Sequence, residues 1–172
     1  MKLKAKEIAL FGLLGAIMYV QKIVLASLPN IHLSAVLIVA ITVVYRVKAL
    51  YPIYVYVLLE GLFGGFSILW VPYLYVWAIL WGVTMLLPKS LSEKRYGVIV
   101  YMAICSLHGF LFGALCAPAE AIMMGLDFKG MIGWIAAGFS FDAIHGISNF
   151  VLGILTVPLI KLLKRIKTIN FH

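Results

Sequence analysis

Residues 139–150 read FSFDAIHGISNF, which sets Asp142, His145 and Asn149 into an otherwise apolar run. Steps of three and four place all three on one face of an α-helix, spread over roughly 10 Å of its length. Inside a bilayer such a face must point at a protein interior, a cavity or a substrate path, because an ionisable group facing lipid is costly. The rest of the chain has to supply the membrane.

Composition supplies it. Of 172 residues, 65% are hydrophobic and only 12% charged, with a mean hydropathy of +1.11. A soluble domain carries about a quarter of its residues as charges. The expected class is all-α: a polytopic membrane protein with one domain over 1–172. The net charge of +8 does not point to nucleic acid, because the basic residues sit in short clusters between apolar runs. Cys105 and Cys116 fall in one expected span, three helical turns apart. They cannot pair with each other, and two thiols alone make no metal site. No cleavable signal peptide is expected, because the first apolar run outlasts an h-region and lacks a small-x-small cleavage site.

Six spans are expected, at 8–28, 33–47, 49–66, 71–87, 97–117 and 131–163. The second is short enough to require tilt or shielding by its neighbours. Pro29 and Asn30 break the chain between the first two, and a longer connection at 117–129 holds a short helix after Pro118. Pro158 is expected to end or kink the last span. Every Lys and Arg except Lys22 and Lys129 lies at the N-terminus, at 46–48, at 89–95 or at 161–167. These are alternate loops of a six-span chain together with both termini, so the positive-inside rule places both termini in the cytoplasm.

This topology sets the depth of the polar residues. Glu60, Tyr73, Trp77 and Asp142 fall in the outer halves of their spans, with His145 and Asn149 deeper. His32, Trp70 and Glu120 lie in the outer loops. Trp70, Tyr73, Trp77 and Trp81 recur at steps of three and four as one aromatic stripe. An aromatic wall with a few placed polar groups is how a pocket holds a small planar molecule. One or two desolvated carboxylates suit a ligand bearing a cation or several N–H donors. Plainer roles stand beside these. Trp70 and Tyr73 fit an interfacial belt, and His108 fits an interhelical hydrogen bond. Glu60 and Asp142 can pair with His108, His145 or Lys22. Asn149 can cap a polar network beneath the pocket.

Motifs for nucleophilic catalysis, metalloproteolysis, nucleotide binding and dinucleotide binding are missing from the sequence. No enzyme activity, cofactor or metal is expected. A self-contained permease or channel, or an intramembrane enzyme using the Asp142–His145 pair, are the alternatives.

Span one carries Ala5, Ala9, Gly12 and Ala16 on one face, a small-xxx-small pattern that lets another helix approach closely. Together with the short second span, the Pro29-Asn30 turn and the polar residues of the C-terminal spans, this layout resembles the S components of energy-coupling factor (ECF) transporters. The resemblance covers essentially the whole chain. It implies a substrate-capturing subunit of a prokaryotic vitamin importer, in the plasma membrane, driven by a transmembrane coupling subunit and two ATPase subunits. It also implies that the small-residue face of span one docks on the coupling subunit, and that the nutrient sits near the outer side between spans four to six and the outer loops. The chemistry of the candidate residues suits a planar nitrogen heterocycle.

Overall fold

A computed structural model describes residues 3–171, with the side chains of Asn170 and Phe171 outside the description. Among the described residues the secondary structure is entirely helical: α1 Ala5–Val24, α2 Ser34–Tyr45, α3 Leu50–Gly64, α4 Tyr73–Met85, α5 Gly97–Phe110, α6 Phe112–Met124, α7 Phe128–Leu152 and α8 Thr156–Phe171. Short 3-10 turns at Arg46–Ala49, Lys89–Glu93 and Gly153–Leu155 join neighbouring helices.

At the centre lies α2. Its sequence, SAVLIVAITVVY, has no charge and no polar face, and all 12 of its residues are buried. A helix that is apolar all round is stable only when surrounded, and α1, α4, α5, α7 and α8 all pack on it. At about 18 Å it is shorter than a bilayer core of roughly 30 Å, so its shielding comes from its neighbours.

Three contacts along α1 set the directions of the first helices. Lys48 pairs with Glu7, Gly15 meets Val55, and Lys22 pairs with Glu60, so α1 and α3 run parallel. Gln21 bonds Ser34 while Phe11 packs edge-on against Tyr45, so α2 runs the opposite way. Arg46 turns the chain between them with φ 54°, a value that non-glycine residues seldom adopt. The turn makes two helices of a stretch that is continuous in hydropathy.

α5 and α7 form the tightest seam, extended at one end by α6 and at the other by the Gly153–Leu155 turn. Gly113 of α6 faces Asp142, Gly109 faces Gly146, Cys105 faces Asn149 and Met102 faces Gly153. A Cβ on Gly109 would stand 2.8 Å from the Gly146 backbone, so these two helices touch backbone to backbone. The break at Gly153–Leu155 precedes Pro158, which sits in the first turn of α8 where it costs nothing.

The fifth span and the connection after it depart furthest from expectation. The fifth run divides at Leu111, and its second half, α6, continues through Pro118 to Met124. Residues 117–129 are therefore mostly helix, closed by Gly125 in the left-handed region and by Asp127, which caps α7 through Gly130 N–H at 2.7 Å. Cys105 and Cys116 consequently lie on different helices, both buried and free.

The basic clusters gather at one end. Arg46 donates to Met85 O, Lys164 meets Glu93 and Lys167 donates to Val44 O. Among the described residues, four helical stretches are long and apolar enough to cross a membrane, and Tyr73–Met85 is a shorter apolar helix beside them. Ile8, Leu13, Val20, Leu58, Phe63, Ile99, Ile147 and Val151 all lie more than half exposed on the outer faces. In water so much apolar surface drives aggregation; in a bilayer it is the solvated surface. The protein is membrane-embedded.

Candidate functional site

The end opposite the basic clusters holds the candidate site. Its first wall is α4, where Trp77 is 1% exposed. Around that indole stand His108, stacked at 5.4 Å, Phe112 at 5.5 Å, Tyr73 at 5.6 Å and Tyr56 at 5.9 Å. His32 reaches in from the loop between α1 and α2, 6.4 Å from Trp77 and 4.7 Å from His145, ring centre to ring centre. His145 also packs edge-on against Phe112 at 5.0 Å.

That loop is held firmly. Gln21 accepts from Leu33 N–H at 2.7 Å and donates to Ser34 Oγ at 2.9 Å. Asn30 takes φ 58°, which asparagine tolerates better than most residues, and its carbonyl accepts from Ser148 Oγ at 3.0 Å. Burial pushes His32 down to about 4, and the positive charge of Lys22 pushes the same way.

Two cavities meet at Asn30, Phe112 and His145. The larger, about 500 Å³, lies between α6 and α7 and is lined further by Gly113, Cys116, Glu120, Trp134, Phe141 and Asp142. The smaller, about 280 Å³, lies under the first loop beside Lys22, Pro29, His32 and Tyr73. In the larger one Asp142 accepts the Gly113 N–H through both oxygens, at 3.0 and 3.1 Å. Glu120 accepts from Trp134 Nε1 at 2.7 Å. Neither carboxylate belongs to an ion pair among the described residues. In the smaller cavity charge is balanced, because Lys22 lies 2.7 Å from Glu60 and 3.2 Å from Tyr73 OH.

Four of the unpaired buried polar atoms lie on the aromatic cluster beside the two cavities. His32 Nδ1, Trp77 Nε1, His108 Nδ1 and His145 Nε2 are buried without a hydrogen-bond partner among the described residues. His108 Nε2 faces Val76 O at 3.2 Å; a carbonyl only accepts, so Nε2 carries the proton and Nδ1 is a free acceptor. Buried polar atoms are paired in the great majority of cases. One donor, one acceptor and two imidazole nitrogens able to play either role, left open around one aromatic cluster, are what a small hydrogen-bonding ligand satisfies.

The candidates separate accordingly. His32, Tyr73, Trp77, His108, Glu120, Asp142 and His145 gather at the cavities and the rings between them. Glu60 sits behind Lys22 and acts through it. Asn149 is fully buried on the α5–α7 seam, donating to Cys105 O at 3.2 Å. Trp70 donates to Val57 O at 2.8 Å and packs on Phe66. Trp81 lies at the basic end, donating to Arg46 O at 3.1 Å. Phe112, Asn30, Gly113 and Trp134 line the site without any polar pattern in the sequence to announce them. For Gly113 the only signal is its spacing of four from Gly109. Among the described residues, no group of three or more His, Cys, Asp or Glu side chains is placed to hold a metal ion. On α1, Ala5 and Ala9 are exposed, Gly12 and Ala16 are partly exposed, and a Cβ on Gly12 would meet nothing within 4 Å.

Comparison with protein-family models, with curated proteins and with solved structures returns no match to this chain.

Proposed function

We propose that this protein is a substrate-capturing membrane subunit of an ECF-type importer, with six spans, both termini cytoplasmic, in a prokaryotic plasma membrane. Its ligand is a small planar nitrogen heterocycle of the vitamin class. The observation that carries the binding role is the set of unpaired buried atoms on His32, Trp77, His108 and His145 around Phe112. A flat ring in the adjoining cavities gains stacking area from Phe112 and hydrogen bonds from the open nitrogens of His32 and His145.

Asp142 and Glu120 favour a ligand that brings a cationic or N–H-rich substituent into the larger cavity. The volume of about 500 Å³ falls within the usual range for small-molecule sites. The importer assignment rests on the overall layout and on the outward-facing stripe of Ala5, Ala9, Gly12 and Ala16, which is open for a partner helix. In this reading the chain hydrolyses nothing, and the coupling subunit and two ATPases supply the energy.

Mass spectrometry of the protein purified in mild detergent tests the reading. The expected result is a retained heterocycle whose rebinding quenches tryptophan fluorescence, with the quench lost in Trp77→Phe. A retained lipid or peptide product, or transport by the chain alone in vesicles, would overturn it.

A further inference from the structure

A second concavity lies at the basic end, about 590 Å³ in volume, between the end of α2, the Lys89–Glu93 turn and α8. Arg46, Lys89, Lys164 and Lys167 line it, and Glu93 is the one acid among its lining residues. Lys164 is shared with that acid, lying 3.2 Å from both Glu93 Oε1 and Ser92 Oγ. Lys167 donates to Val44 O at 3.1 Å, which spends one of its three donors. Lys89 is exposed, and among the described residues its side chain has no hydrogen-bond or ion-pair partner.

The positive-inside rule explains why basic residues are at this end, but not why four from three separate segments face one hollow. Like charges gathered around a concavity repel one another unless an anion fills it. Ser90 adds a hydroxyl, while Thr168 donates its own to Lys164 O at 3.1 Å, and Val43 and Val44 form an apolar edge. Cations, a hydroxyl donor and an apolar margin together are the chemistry of a phosphate group carried at a membrane surface.

We propose that this cleft binds a phosphate-bearing anion, held by Lys89 and Lys167 with Arg46 and Lys164 behind them. The phosphate comes from an anionic phospholipid headgroup or from a soluble phosphate compound. The site is separate from the candidate nutrient pocket and does not depend on what that pocket holds.

Short-chain phosphatidylglycerol, short-chain phosphatidylcholine and inorganic phosphate, each titrated into delipidated protein in detergent, test the proposal. Phosphatidylglycerol is expected to bind about tenfold or more tightly than phosphatidylcholine, and Lys89→Gln/Lys167→Gln is expected to remove that preference. Elution volume and intrinsic tryptophan emission, read on the same samples, are expected to be unchanged, which separates loss of the site from loss of the fold. Lys89→Gln alone, at an exposed position, gives a smaller loss should the double variant not fold. Inorganic phosphate that displaces the lipid points to a soluble phosphate compound; lipid that stays bound in phosphate points to the headgroup. Equal binding of both lipids, or phosphatidylglycerol binding unchanged in the variants, overturns the proposal.

Discussion

Asp142 on α7 accepts the backbone N–H of Gly113 through both carboxylate oxygens, at 3.0 and 3.1 Å. Gly113 lies in the first turn of α6, where helical N–H groups have no partner of their own helix. The contact exists because the fifth run breaks at Leu111 and because glycine leaves room: a Cβ at Gly113 would collide with the carboxylate. One contact therefore joins a helix break, a seam between helices and the wall of a cavity.

Gly113→Ala should push Asp142 out of this position and weaken binding of the retained ligand. Asp142→Asn keeps the size but loses the charge, and puts an NH2 group where one oxygen accepted. A hydrogen bond to a charged group contributes about 1.5–3 kcal/mol, so a loss of roughly ten- to a hundredfold in affinity is expected. Fluorescence titration reads it, and wild-type affinity in both variants would remove Asp142 from the site.

Lys22 and Glu60 are a pair rather than two independent ligand contacts, and the pair is testable as such. Lys22→Met leaves the Glu60 carboxylate, with a side chain 10% exposed, without its cation. The expected cost is about 1–3 kcal/mol for the orphaned group. Adding Glu60→Gln should recover most of it, measured as thermal stability in detergent. A double variant no more stable than the single one would mean that Lys22 acts through Tyr73 instead.

His32 gives a pH signature. Its folded-state value of about 4 lies below the ordinary 6.5, so the unfolded chain takes up a proton that the folded chain refuses. The stability from His32 is present above pH 6.5 and falls as pH drops toward 4; below 4 both states are protonated and no more is lost. His32→Gln should flatten this part of the profile. The check is the difference in melting temperature between wild type and variant from pH 7 to pH 4. A difference that stays constant with pH would place His32 in a solvated setting.

Gly12→Leu should leave folding and ligand binding unchanged, since a Cβ at Gly12 has no neighbour within 4 Å. On the importer reading it should abolish co-purification with the coupling subunit and ATPases, and with it uptake by cells. Intact assembly would assign the small-residue stripe to lipid contact.

Much of the architecture was legible because it follows from local quantities. Hydropathy marks the apolar runs, and the Lys and Arg clusters sort to one end whichever helices pack together. The candidate site was partly legible for a related reason: ionisable and aromatic residues in apolar runs are few, so naming them nearly names the site. Trp81 shows the limit. It continues the stripe of Tyr73 and Trp77, yet two helical turns carry it to the basic end, where it bonds Arg46 O.

Residues 139–150 carry the same lesson. The sequence by itself determined that Asp142, His145 and Asn149 share a helix face and that the face is internal. Tertiary packing decided that the face is divided. Asp142, Gly146 and Asn149 lie on the seam with α5 and α6, while His145, offset from them by roughly 40–100° around the helix axis, turns toward His32 and Phe112. Helical periodicity cannot resolve that offset, because a face read from spacing is wider than one helix–helix contact. The backbone contact of Gly109 with Gly146 sets where the seam falls, and the break at Leu111 brings Phe112 and Gly113 to the cavity. Both depend on which helices meet, a relationship between distant segments that no local pattern encodes.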